Sequence, residues 1–207
     1  MYTQSFFMLR YPPRIFLGGL PMKGIVFREF IAMVEDQFSL ETADHIISAS
    51  NLSSDGAYTS VGTYPPQEMV DLVTHLSAAT SISVPDLLHH FGKHLFQRFS
   101  VIHPEYVKTH ESAFELLRRL DGHIHVEVRK LYIDAELPAF DYEELADGEM
   151  VFIYRSRRKL ADFAHGLIQG CIDHFGDPMQ IERINLPDDE SGAHTRFTLK
   201  RLNDGGG

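Results

Sequence analysis

"PAFDYEELADGEMVFIYRS", residues Pro138 to Ser156, alternates apolar with polar side chains on both sides of an Asp147-Gly148 pair. That is the pattern of two antiparallel strands joined by a tight turn. The stretch decides the fold because the chain changes rhythm at it. Upstream, apolar residues recur at helical spacing: Ile25, Val26, Phe30, Met33 and Val34 predict a helix over 23–36, and further helices are expected over 41–49, 67–77, 84–99 and 114–120, with a turn-rich loop at 51–66. Downstream, residues 160–175 return to helical spacing and stop at Gly176, and two strand-like runs follow, "MQIERINLP" and "HTRFTLKRL". A helical first lobe, then strand, strand, helix, strand, strand, predicts an α+β fold with an antiparallel four-stranded sheet towards the C-terminus.

With 207 residues, 43% of them hydrophobic, and no low-complexity tract, the chain has the size and composition of one domain with a substantial core. Its net charge is −10, with Asp and Glu spread along the chain, which argues against a nucleic-acid partner. Cys171 is the only cysteine, so an intramolecular disulfide, a CxxC redox pair and a cysteine-rich metal site are excluded, and a reducing compartment, the cytoplasm, fits best. Residues 1–21 are aromatic but interrupted by Arg10, Pro12, Pro13 and Arg14, so they read neither as a secretory signal nor as a membrane span. They are expected to be an extension outside the fold, which would begin at Met22, and residues 203–207 a flexible tail.

Just before the hairpin lies "GHIHVEVRKLYIDAELP", Gly122 to Pro138. If 121–132 is a helix, Ile124, Val128 and Leu131 form an apolar stripe, and His123, Glu127 and Lys130 a solvated one. His125 borders the apolar stripe and is expected to face inward, His123 outward. Taken alone, such a histidine is more often a core residue bonded to a backbone carbonyl, and twelve histidines in the chain make a chance pair easy. The second signal is "YRSRRK", Tyr154 to Lys159, at the end of the second hairpin strand. On an extended strand Tyr154, Ser156 and Arg158 share one face, presenting two hydroxyls and a guanidinium that suit a carboxylate. A solvated basic strand edge is the plain alternative. An inward imidazole on one element and a carboxylate anchor on another are what a haem requires: one axial ligand and a hold on its propionates.

"MKGIVFREFI" from Met22, "HVEVRKLY" from His125 with "AELP" after it, and Tyr-x-Ser-x-Arg at Tyr154, in that order and at those separations, resemble the haem nitric oxide/oxygen-binding (H-NOX) family, related to the haem domain of soluble guanylate cyclase. The resemblance runs over about Met22 to Leu202 and implies a helical lobe at about 22–85 and a haem-anchoring lobe at about 86–202. It implies haem b as cofactor, His125 as its proximal iron ligand, Tyr154, Ser156 and Arg158 at the propionates, and Pro138 pressing on the macrocycle. Ile133 departs from the pattern, since many relatives have a proline there.

In relatives that hold dioxygen, a distal tyrosine lies five residues past the propionate arginine. Here that position is Phe163, and the positions resembling its supporting network are Phe30 and Leu95, with Val26 and Phe99 completing the expected distal wall. Dioxygen needs a distal hydrogen-bond donor and nitric oxide does not. The resemblance therefore implies a sensor that admits nitric oxide and carbon monoxide and excludes dioxygen. It also implies a separate signalling partner, often a histidine kinase, a diguanylate cyclase or a phosphodiesterase. The competing readings are a haem redox protein, which needs polar groups over the iron, and a haem-free interaction domain in which His125 is plain core. No catalytic constellation stands out, so an enzyme is not the expectation, nor is a membrane protein.

Overall fold

The computed structural model describes residues 21–145, 148–189 and 192–202. Residues 1–20, the tail 203–207 and Asp147 of the expected hairpin turn lie outside the described residues. Four helices come first: α1 (Gly24–Gln37), α2 (Leu40–Ala49), α3 (Pro66–Thr80) and α4 (Val84–Ile102). Their starts are chemically marked. Ser39 Oγ accepts from Thr42 N at 3.0 Å and Ser83 Oγ from Asp86 N at 3.3 Å, satisfying amides that a helix start leaves without partners. Phe27, Phe30, Met33, Leu72, Leu76 and Phe91 are at most 1% exposed and fill the core between these helices.

The expected loop at 51–66 is more ordered than its turn-rich composition predicts. Buried Glu68 in the first turn of α3 accepts hydrogen bonds from Ser53 N and Oγ, Ser54 Oγ and Tyr58 Oη, so one carboxylate folds the loop back on its own helix. The loop ends in a two-residue strand, β2 (Thr63–Tyr64), antiparallel to β1 (Met22–Lys23).

After a short turn at Pro104–Tyr106 come α5 (Ala113–Arg118) and α6 (His125–Leu131), the latter entered through a π-helical turn over Leu120–Ile124. A single helix over 121–132 is therefore not what forms. His123 N and Ile124 N both bond to Arg119 O, at 2.9 and 3.2 Å, which widens the turn, while Asp121 is tied to the sheet by Phe140 N at 2.8 Å. The extra residue per turn rotates the helix face: His125 is 8% exposed, whereas Leu131, expected inside, is 48% exposed.

The hairpin forms as β3 (Ala139–Glu144) and β4 (Glu149–Ser156), followed by α7 (Ala161–Phe175), β5 (Met179–Asp189) and β6 (Gly192–Arg201). All pairings are antiparallel in the order β3-β4-β6-β5. Phe152, Phe197, Leu199 and Ile168 make a second core between the sheet and α7. Helix α4 serves both cores. It buries Leu87, Leu88, Phe91 and Leu95 in the first, and its other face packs on α7.

That packing is close enough to require glycine. A Cβ on Gly166 would stand 1.9 Å from His89 O, and one on Gly92 would stand 2.3 Å from Phe163 O. Beside the crossing the His89 and His165 rings meet edge to face at 4.7 Å, and burial, with the His89 charge second, pulls His165 down to about 4. Gly166→Ala meets backbone, which no rotamer change relieves. Its expected cost is about 1–3 kcal/mol or more, seen in a thermal melt as a Tm lowered by about 2–4 °C per kcal/mol for a domain of this size. An unchanged melt would show that the helices separate freely.

Candidate functional site

Between the two cores lies a cavity of about 270 Å³, walled by α1, α4, α7, the α5–α6 segment and the start of the sheet. Its wall is overwhelmingly hydrocarbon, and its polar groups arrive from a few identifiable places.

The first is the end of β4. Tyr154 and Ser156 alternate inward and are 2% and 9% exposed. Burial pushes the Tyr154 hydroxyl up, against the opposing contacts with the Ser156 side chain and the Leu160 backbone. Arg158 does not share the strand face. β4 ends at Ser156, whose Oγ accepts Arg158 N at 3.2 Å and turns the chain, so the guanidinium reaches the same cavity from a turn. Its side chain is 10% exposed, Nη1 donates to Glu136 O at 2.6 Å, Nη2 donates to Pro21 O, and the Glu136 carboxylate is 3.9 Å from Nη2. Burial lowers the pKa of the guanidinium, and Glu136 opposes that shift.

The second is His125. It lines the cavity at the start of α6, with its Nδ1 2.5 Å from Asp121 Oδ1. The line between these atoms lies off the ring N–H direction, and neither has a hydrogen-bond partner among the described residues. Burial raises the Asp121 pKa, but contact with His125 and the Phe140 amide outweighs it and holds the carboxyl below its usual range. The Phe140 ring stands 6.0 Å from the imidazole and 5.5 Å from the Tyr154 ring, and Pro138 lines the cavity just before β3. His123 is exposed.

Of the residues expected on the distal wall, Val26, Leu95, Phe99 and Phe163 line the cavity and Phe30 does not. Phe30 is wholly buried behind the wall, edge-on to Phe91 at 5.1 Å, and Phe91 in turn lies 5.1 Å from Phe163. Four residues beyond Val26 is about 6 Å further along α1, enough to pass the cavity. Cys171 also lines it, and burial pushes its thiol up, so it stays protonated.

Sequence reasoning missed Asp121, Tyr132 and Pro21, and also His103 and Tyr106 on the cavity wall. Asp121 carried a signal, its i,i+4 spacing to His125. Tyr132 adds a phenol to the cavity wall, its pKa raised by burial and by Glu29. Pro21 acts through a backbone carbonyl, which has no sequence signature.

The fit to a haem follows from the donor set. Among the described residues no group of three or more His, Cys, Asp or Glu could hold a bare metal ion. The inward imidazole of His125 suits an iron that brings its other ligands with it, and a guanidinium with two hydroxyls on the same cavity wall suits propionates. Among the described residues no helix is long and apolar enough to cross a membrane.

An α+β domain with an apolar cavity between a helical lobe and a sheet, lined by His103, His125 and Arg158 among hydrocarbon, is of the class that holds a flat prosthetic group. The sequence model of the Haem-NO-binding family matches residues 23–183. Unliganded Fe(II) H-NOX from K. algicida is 40% identical, with 90% of this chain and 100% of that one covered and a TM-score of 0.79. IWP-051-bound H-NOX from Shewanella woodyi in the Fe(II)CO state is 39% identical, with 90% and 97% covered and a TM-score of 0.75. H-NOX from S. oneidensis in the Fe(II)NO state is 25% identical, with 88% and 100% covered and a TM-score of 0.78. No curated protein matches the chain. The chain belongs to the Haem-NO-binding, or H-NOX, family of haem-based gas sensors.

Proposed function

We propose that this protein, over residues 22–202, is a cytoplasmic nitric oxide sensor that binds haem b, admits nitric oxide and carbon monoxide, excludes dioxygen and regulates a separate signalling protein such as a histidine kinase, diguanylate cyclase or phosphodiesterase. When bound, haem would supply a ferrous iron able to take a diatomic gas and held by one protein ligand. His125 is that ligand. Tyr154, Ser156 and Arg158 hold the propionates, and Pro138 bears on the macrocycle. Relatives determined with carbon monoxide and with nitric oxide support the ligand class.

The observation that carries the choice of gas is the hydrocarbon on the cavity wall at Val26, Leu95, Phe99 and Phe163. None of these side chains can donate a hydrogen bond, so dioxygen gains nothing there while nitric oxide loses nothing. The hydrocarbon at these four positions argues equally against redox chemistry on a substrate there. Exposing the ferrous protein to air-saturated buffer should leave its absorption spectrum unchanged over seconds. Phe163→Tyr should confer dioxygen affinity, weak because Leu95 gives the new hydroxyl no support. A stable new spectrum in air would overturn the assignment, and if Tyr132→Phe abolished it, Tyr132 would be the donor.

A further inference from the structure

Asp121 touches His125 yet belongs to none of the roles assigned above. We propose that Asp121 is a positioning residue for His125, setting how strongly the imidazole binds iron and linking that strength to β3. The proposal rests on the haem reading. It stands on the use of two different carboxylate oxygens: Oδ1 lies 2.5 Å from His125 Nδ1, and Oδ2 accepts from Phe140 N at 2.8 Å.

A neutral imidazole has one N–H and one lone pair. With Nδ1–H turned towards a carboxylate, the lone pair is on Nε2, the nitrogen left for a metal, so the partner selects the tautomer. A charged acceptor also draws the Nδ1 proton towards itself and makes Nε2 a stronger donor. In the structure the two atoms are in contact without the alignment of a formed hydrogen bond. Neither atom has another hydrogen-bond partner among the described residues, so the pair has no competitor.

The geometry also explains the wide turn. The π-helical turn over Leu120–Ile124 separates Asp121 from the regular part of α6, which lets its side chain reach β3 and the imidazole together. Phe140 is two residues past Pro138. A displacement of this strand pulls on Oδ2 and moves Oδ1 relative to Nδ1. Asp121 therefore sets the pull that nitric oxide must overcome to release His125, and the position of Pro138 adjusts it.

Resonance Raman spectra of the haem-loaded ferrous full-length protein test this through the iron–histidine stretching band. Asp121→Asn keeps an oxygen for the Phe140 amide but removes the charge. Its band should move to lower frequency, with a thermal melt close to wild type, and haem loss to an acceptor protein should quicken by about tenfold or more. Asp121→Glu retains a carboxylate and should recover part of the shift. A band at the wild-type position in Asp121→Asn, or the same shift in both variants, overturns the proposal and leaves the haem reading standing. Absence of the band from the wild-type protein overturns both. Proton NMR of the wild-type carbon monoxide form needs no variant: a His125 Nδ1 proton far downfield supports the bond, and one at the position of an unbonded imidazole refutes it.

Discussion

His125→Gly should fold, keep its sheet and lose its axial ligand, and the wild-type absorption spectrum should return when free imidazole is added. The expectation follows from placement. His125 lines the cavity and is 8% exposed, and it begins the seven-residue helix α6, so removing its ring leaves a hole that opens onto the space a haem would fill. Free imidazole can occupy that hole. It cannot restore the covalent link to α6, so the spectrum should recover without the response to nitric oxide. Stability should follow the same course. A ligand present at 100 times its Kd stabilises the fold by about 2.7 kcal/mol, so the gap in melting temperature between haem-loaded and haem-free protein should narrow in the variant and widen again with imidazole. His123→Gly is the control, because His123 is exposed. If His123→Gly loses the spectrum and His125→Gly does not, the assignment of the inward histidine is wrong.

The second large effect concerns Pro138. If His125 holds the haem iron as proposed, nitric oxide would loosen that single hold, and the ferrous protein treated with nitric oxide should give a five-coordinate absorption band. Pro138→Ala should move the gas-free protein towards the same state. The reason lies in how the 132–138 segment is held. Lys23 Nζ pairs with Asp134 at 3.1 Å while also bonding Val61 O and Thr63 Oγ1, and Arg158 grips Glu136 O at 2.6 Å. Lys23 at the end of β1 and Arg158 in the turn after β4 therefore both hold the segment that leads to Pro138. Removing the pyrrolidine takes away the rigid part of that contact without cutting either tie. Hydrogen exchange over residues 125–131 should then quicken in the gas-free variant, matching the nitric-oxide-treated wild type. A partner responds only if it binds the two arrangements with different affinity. A six-coordinate spectrum with nitric oxide, in a protein that still switches its partner, would show that release of His125 is not the signal.

The element order was legible in the chain because it rests on local periodicity. Alternation around Gly148 specified the hairpin, a helix-breaking Gly176 at φ 66° closed α7, and side-chain spacing separated buried His125 from exposed His123. The family was legible for a related reason: Tyr154, Ser156 and Arg158 stand at a fixed distance from His125, and spacing along a chain survives without a structure. Tertiary structure decided what depends on residues far apart. The order β3-β4-β6-β5 and the meeting of Gly92 with Gly166 are matters of which surfaces find each other. Phe30 was assigned to the cavity and lies behind its wall, because helical periodicity gives a side chain's direction but not where along the helix the cavity ends. The wide turn at Leu120–Ile124 turned Leu131 out and brought Asp121 to both His125 and Phe140, since Asp121 was held by an amide nineteen residues away. Arg158 left the strand face for a turn and found the carbonyls of Pro21 and Glu136, and any residue in those places offers the same oxygen to a buried guanidinium.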